Sequence, residues 1–315
     1  MITDKPPNHS TTQTAIIGAG PAGIAAAIQL QRYGFAPIIL EKDNVGGLLR
    51  NANLVENYPG FPNGIPGPKL VALFEKHLRQ VGAEIRRDEV LRLDYDGGNF
   101  LAKTQRNTYQ ATNVIIATGT KPKQFPIEIP AQAKNRVFSE VWPLLKTRGK
   151  HVTIVGAGDA AFDYALNLAS RGNTVTILNR STEVSCLPLL WERARATPAI
   201  SYRDQITLQR IESDTATGRL QLFADDPSTK LRAGCSLITN HCLLITDYLL
   251  FAIGRETQMD FLTEGVKLQA QRLVEDGKLY LVGDVHNDLY RQTAIAVGEG
   301  LRAAMQIYAN MEKVR

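Results

Sequence analysis

At 315 residues, with 44% hydrophobic and 21% charged positions, the chain has the size and make-up of about two globular domains. No apolar run approaches the ~18 residues that cross a bilayer, and a net charge of +5 spread along the chain argues against nucleic-acid binding. Its three cysteines, Cys186, Cys235 and Cys242, form no Cys-x-x-Cys pair, so neither a disulfide framework nor a four-ligand zinc site is indicated.

The N-terminal stretch Met1 to Thr14 is polar and lacks the apolar block of a secretory signal, so it reads as a short disordered tail on a cytoplasmic protein. From Thr14 a short apolar strand runs into Gly18-Ala19-Gly20-Pro21-Ala22-Gly23 and then an alanine-rich helix to Leu30. Gly18 allows the tight turn, Gly20 lets the backbone approach a pyrophosphate, Gly23 permits close helix-strand packing, and the helix start offers N–H groups to phosphate. Glu41 ends the next strand, where a carboxylate bridges the ribose hydroxyls of an adenosine.

The same device recurs from His151, with Gly156, Gly158 and Ala161 at the turn positions, Asp159 and Ala160 between them, and a helix from Phe162 to Arg171 behind. The copies are offset by 138 residues, and that offset carries Glu41 onto Asn179, followed by Arg180. An acid there repels a 2′-phosphate and an arginine binds it, so NADPH is favoured over NADH; an isolated arginine reads first as a solvated strand-end residue, and it is the position of Arg180 that tips the balance to phosphate.

Further along come Gly46-Gly47-Leu48-Leu49, Glu56-Asn57-Tyr58-Pro59-Gly60-Phe61, Ile115-Ile116-Ala117-Thr118-Gly119, Gly283-Asp284-Val285 and Tyr290-Arg291-Gln292-Thr293-Ala294. In this order, with two glycine turns, they make the chain resemble the low-molecular-weight thioredoxin reductases from about Thr14 to Ala309. The resemblance implies an α/β fold of two Rossmann-like three-layer dinucleotide-binding domains, the second inserted in the first. It implies an FAD domain over 1–119 and 246–315, an NAD(P) domain over 120–245, hinges near Thr120 to Pro122 and Ile245 to Asp247, and a homodimer. It further implies that the first turn, Glu41, Lys42, Gly46, Gly47, Leu48, Asn57, Val90, Ala117, Thr118, Gly119, Gly283, Asp284, Arg291, Gln292 and Thr293 hold FAD. The second turn, with Asn179 and Arg180, would hold NAD(P). A helix opening at Arg291 to Ala294 would aim its positive end at the reduced flavin.

The chain also departs from that family. The stretch Arg136 to Lys146, where thioredoxin reductases carry the redox Cys-x-x-Cys, has no cysteine, and Ala22 stands where the bacillithiol-disulfide reductases carry one. Asn179-Arg180-Ser181 replaces the usual His-Arg-Arg. Phe138 to Lys146, followed by Gly149 to Val152, is similar to the thioredoxin-reductase-like ferredoxin-NADP reductases, without their C-terminal extension over the flavin. Electrons are therefore expected to pass from NAD(P)H to flavin and on to a carrier such as ferredoxin or flavodoxin. Direct reaction with a small molecule or quinone, and a non-catalytic protein with a vestigial nucleotide site, are the alternatives.

Among His9, His77, His151, His241 and His286, only His286 lies beside the flavin motifs, where it is a candidate proton donor or a solvated loop residue. Trp191 with Arg193 and Arg195 reads as a dock for an acidic carrier, as a contact to the adenosine phosphate, or as a plain amphipathic surface helix. The cysteines read as buried small hydrophobes of the nucleotide domain.

Overall fold

A computed structural model describes residues 8–214, 217–227 and 241–312. The chain divides into two compact units, one of residues 1–50, 55–121 and 256–315 and the other of residues 51–54 and 122–255. The first opens with β1 (Asn8–Ile17), α1 (Pro21–Arg32), β2 (Ile38–Glu41), α2 (Gly67–Gln80) and β3 (Glu84–Arg87). It continues with β4 (Arg92–Tyr95), β5 (Phe100–Lys103), β6 (Asn107–Ile116) and β7 (Thr120–Pro122). The second contains β8 (Val137–Phe138), β9 (His151–Val155), α3 (Asp159–Ala169), β10 (Thr174–Leu178) and α4 (Pro188–Arg195). β11 (Ile200–Arg203), β12 (Thr207–Ser213), β13 (Leu220–Asp225), β14 (His241–Thr246) and β15 (Tyr248–Phe251) complete it. The chain then returns through β16 (Arg255–Thr257), α5 (Glu264–Glu275), β17 (Leu279–Leu281) and α6 (Thr293–Glu312).

In the first unit β3-β2-β1-β6 form a parallel sheet, and the far edge of β6 is shared. Antiparallel β5 takes Thr108–Ala111 and parallel β17 takes Val114–Ile116. Side chains alternate across the pleat. Ile16, Ile39 and Ile115 face a layer from α1 and α6, whereas Ile17, Ile38, Leu40 and Ile116 face a layer with Leu93, Phe100, Val266 and Leu273. α1 buries Ala22 through Ala27 together with Leu30, so its contact face is almost all small residues and a neighbouring helix comes close.

The second unit repeats the parallel core as β11-β10-β9-β15-β8 and adds an antiparallel β12-β13-β14 sheet. Val152, Ile154, Val175, Ile177 and Leu250 pack with Phe162 and Leu168 of α3, while Leu178, Leu249 and Phe251 pack with Ile211, Leu220 and Leu222 of the antiparallel layer.

Two expectations need correcting. The N-terminal segment does not remain a tail up to Thr14: β1 begins at Asn8, because ten-residue β6 offers a ladder that pairs Asn8–Thr12 with Asn107–Ala111. The second boundary also lies beyond Ile245 to Asp247. β15 pairs in parallel with β9, Tyr248 against Val152 through Phe251 against Val155, which carries the second unit to Arg255. Residues Asn51–Leu54, early in the chain, also belong to the second unit. The Asn51 amide donates to Glu140 Oε2 at 3.1 Å, its carbonyl accepts from the Trp142 N–H at 3.0 Å, and Asp163 accepts from the Asn53 N–H at 2.9 Å.

Candidate functional site

In the first unit, β1 ends at Ile17 and the chain reverses at Gly18, whose φ of +105° suits glycine. A Cβ there would stand 2.4 Å from the Ala117 carbonyl oxygen, so β6 and the turn touch backbone to backbone. Three backbone hydrogen bonds tie the turn down: Gly18 N–H to Leu40 O at 2.9 Å, Ala117 N–H to Ile17 O at 2.8 Å, and Gly46 N–H to Ala19 O at 2.8 Å. α1 follows with Pro21 at its start and no capping side chain. A Cβ on Gly20 would meet nothing nearer than Ala117 O at 4.0 Å. An open turn before an uncapped helix start has the room and polarity that a pyrophosphate requires, so these residues fit a dinucleotide.

Glu41 bonds to the backbone both within the turn and beyond β2. Its Oε2 accepts from the Ala19 N–H at 2.7 Å and its Oε1 from the Asp43 N–H at 2.8 Å, so the carboxylate fastens the glycine turn to the end of β2. Lys42 beside it is exposed. Gly46 and Gly47 lead into a 3₁₀ turn with half-buried Leu48, and Gly47 lies against Gly20. Val90 is buried in the other layer, two residues after Asp88, whose N–H donates to Glu41 O at 3.0 Å.

Directly after β6, Ala117 is buried, and the Thr118 hydroxyl donates to Gln258 O at 2.6 Å while the Gln258 N–H donates to Gly119 O at 3.1 Å. The Asn57 amide donates to the Gln292 Oε1 at 2.7 Å, which brings two candidates together across 235 positions. Gly283 and Asp284 form a 3₁₀ turn before α6, which starts at Thr293. This stretch depends on Glu299, which the sequence reading missed. Its Oε2 accepts from the Gly283 N–H at 2.6 Å and both its oxygens accept from the Asn287 amide at 3.0 Å, while Arg291 Nε donates to Asn287 O at 2.9 Å. A lone glutamate on an amphipathic helix gives no sequence signal for such a clasp. His286 is exposed, its backbone N–H donating to Gly283 O at 2.9 Å.

The second unit reproduces the three backbone bonds of the turn. Gly156 has φ +130°, and a Cβ there would stand 2.2 Å from Ala252 O. The matching hydrogen bonds are Gly156 N–H to Leu178 O at 2.9 Å, Ala252 N–H to Val155 O at 2.8 Å, and Ser185 N–H to Ala157 O at 3.1 Å. α3 starts at Asp159, whose Oδ1 accepts from the Leu187 N–H at 2.7 Å; Ala160 is exposed and Ala161 buried. Asn179 is 5% exposed. Its amide donates to Glu183 O at 2.7 Å and to the Tyr202 hydroxyl at 2.9 Å, and its Oδ1 accepts from the Ser181 N–H at 3.2 Å and hydroxyl at 3.3 Å. Arg180 is exposed and makes no ion pair or side-chain hydrogen bond among the described residues.

Trp191 is partly buried against the core: it packs edge-on against Phe162 at 5.5 Å and Tyr202 at 4.9 Å, with Arg195 over its ring at 5.7 Å. Cys186 and Cys242 are half-buried, not fully buried as expected. Burial first, and the Asp159 carboxylate second, push the Cys186 thiol up, which keeps it protonated and a poor nucleophile. Cys242 Sγ lies 3.9 Å from an Arg203 nitrogen, and Cys235 lies outside the described residues. No helix among the described residues is long and apolar enough to cross a membrane.

Two glycine-turn folds of the same construction, one interrupting the other, define an α/β oxidoreductase built for two nucleotides. The chain belongs to the pyridine nucleotide-disulphide oxidoreductase family, whose pattern matches residues 12–300. It is 28% identical over 314 residues to the bifunctional thioredoxin reductase/thioredoxin of Mycobacterium leprae, covering 95% of this chain and 66% of that protein. It is 26% identical to the thioredoxin reductase of Chlamydia trachomatis, covering 92% of this chain and 95% of that one. The crystal structure of T. acidophilum thioredoxin reductase superposes with a TM-score of 0.79 at 27% identity, over 96% of this chain and 99% of that chain. The protein is thus a thioredoxin-reductase-like flavoprotein and oxidoreductase.

Proposed function

We propose that this protein is an NADPH-dependent FAD oxidoreductase that works without a protein disulfide and delivers electrons to a one-electron carrier such as ferredoxin or flavodoxin, as a homodimer. FAD would lie on the first glycine turn and NADPH on the second. The observation that carries the reading is the pair of turns held by the same three backbone bonds in a chain without a Cys-x-x-Cys. FAD, when bound, supplies a ring that accepts a hydride from reduced nicotinamide and releases the electrons singly or in pairs.

The chain's own groups bind and orient. Gly20 and the uncapped start of α1 would receive the pyrophosphate, Glu41 the adenosine ribose, and the Glu299-held turn at Asp284 the sugar chain. Asn57, joined to Gln292, would present an amide pair in place of a charge to the ring, and the start of α6 would favour negative charge there. The relatives named above are thioredoxin reductases, and thioredoxin chemistry needs two thiols within reach of each other. Cys186 and Cys242 are free, and the Cys186 thiol is held protonated.

The test is anaerobic mixing of the FAD-loaded protein with NADPH or NADH, followed by ferredoxin, flavodoxin, thioredoxin disulfide or a quinone as acceptor. Bleaching by NADPH and reoxidation by a one-electron carrier support the reading. No bleaching by either nucleotide overturns it, and reoxidation only by thioredoxin disulfide or only by quinone overturns the choice of acceptor.

A further inference from the structure

The two turns differ in one respect that their shared bonds make conspicuous. In the first, Glu41 reaches back and caps the Ala19 N–H at 2.7 Å. In the second, the corresponding Ala157 N–H has no acceptor among the described residues, because Asn179, one methylene shorter, is turned the other way. Both donors of its amide and one lone pair of its oxygen are taken within its own unit, by Glu183 O, the Tyr202 hydroxyl and the Ser181 N–H, and the Ser181 hydroxyl stands 3.3 Å from both Asn179 Oδ1 and Glu183 O, with one proton to give to either. An amide has two donors and one oxygen with two lone pairs, so no donor is left over for a ribose hydroxyl and the last lone pair faces the Ser181 hydroxyl.

The anchoring extends below Asn179. Tyr202, which receives the Asn179 amide, is wedged against Trp191 at 4.9 Å, and Gln205, with a left-handed φ of 54°, donates to Ser181 O at 3.4 Å. A non-glycine residue in that conformation persists only where its surroundings over-determine it. The loop so held carries Arg180, exposed and without an ion pair among the described residues, and one carboxylate, exposed Glu183.

We infer that Asn179 is a positioning residue: it does not touch the nucleotide but folds the loop after β10 so that Arg180 selects dinucleotides bearing a 2′-phosphate. This rests on the proposed use of NADPH. A carboxylate at Asn179 would turn away the same phosphate, so the amide both shapes the loop and leaves the field positive.

The test is calorimetric titration of the FAD-loaded protein with 2′,5′-ADP and with 5′-ADP, beside the KM and the saturating rate of flavin bleaching for NADPH. The wild type is expected to prefer 2′,5′-ADP by about tenfold or more, the size of a charge-assisted hydrogen bond. Arg180→Gln should bring the ratio near one without weakening 5′-ADP. Asn179→Ala and Tyr202→Phe, which leave Arg180 in place, should lower the ratio and raise the KM for NADPH while leaving the saturating bleaching rate unchanged. Tyr202→Phe guards against direct contact: were Asn179 itself a ribose ligand, loss of a hydroxyl behind it would leave the ratio at its wild-type value. Binding of 5′-ADP without discrimination in the wild type overturns the inference alone, as does an unchanged ratio in both loop variants. Absence of binding by either nucleotide together with absence of bleaching overturns it along with the reading it rests on.

Discussion

Gly298 and Gly300 stand two residues apart in α6 and should respond to alanine in opposite directions. A Cβ on Gly300 would come within 2.1 Å of Ala22 O, 2.9 Å of Ala22 C and 3.1 Å of Ala26 N, all backbone atoms of α1 that no side-chain rotation moves aside. Overpacking of this kind costs about 1–3 kcal/mol, and the upper end applies where the obstacle is a helix backbone. Replacing a helical glycine by alanine returns about 1 kcal/mol of propensity. Gly300→Ala is therefore destabilising by about 2 kcal/mol, a fall in Tm of about 4–8 °C for a domain of this size. Because α1 opens directly from the first glycine turn, the same displacement should release flavin, read as bound FAD per chain after gel filtration. At Gly298 a Cβ meets nothing within 4 Å. Gly298→Ala should keep its FAD and raise Tm by about 2–4 °C. If Gly300→Ala melts at or above the wild-type temperature with full FAD, the close approach of α1 and α6 is not as described.

Glu41→Gln keeps one acceptor oxygen where two N–H groups, on Ala19 and Asp43, now donate, and should weaken FAD binding by about 1.5–3 kcal/mol in a calorimetric titration. Unchanged affinity would show that the carboxylate does not hold the turn. Glu299→Gln likewise cannot receive both the Gly283 N–H and the Asn287 amide on two oxygens, and should lower FAD retention by about tenfold with little change in far-ultraviolet circular dichroism. Burial pushes the Tyr164 hydroxyl up to about 12, with Arg255 opposing and Glu140 and Asp163 adding smaller effects. The unfolded chain loses this proton near pH 10 and the folded chain near 12, so the contribution is whole below about 10 and about 2–3 kcal/mol is lost as pH rises through 12. Tyr164→Phe should flatten that part of the alkaline stability profile measured by urea unfolding, and an unaltered slope would refute the assignment.

Much of this was legible because dinucleotide turns are written locally: Gly18, Gly20 and Gly23 sit within six residues, and Gly156 and Gly158 repeat the start of the pattern. The interactions that went unread are those in which one side chain closes on a distant backbone. Glu299 holds Gly283 from within a helix whose apolar pattern explains its other residues, and Gly300 looks like a helix-breaker until α1 is seen against it. Asn51 has its partners near Glu140, so nothing around it announces membership of the second unit. The polar run from Asn8 looked like a tail because a strand that is paired through its backbone needs little from its side chains. Asn179 was located by the internal offset, but its role was not, since whether an amide faces a ligand or its own loop depends on Tyr202 and Glu183.

The way the second unit is inserted bears on how such a protein can be rebuilt. β6 and β17 are neighbouring parallel strands, β7 pairs with β16 where the chain departs and returns, and the Lys121 ammonium forms ion pairs with Glu256 at 3.4 Å and with Asp260. The exit and re-entry points are therefore already stapled side by side. A short glycine-serine bridge from Lys121 to Glu256 should close the main path of the first unit, but Asn51 and Asn53 would lose Glu140, Trp142 and Asp163, so a single-nucleotide module also needs residues 51–54 redesigned, and a grafted domain must supply partners for them.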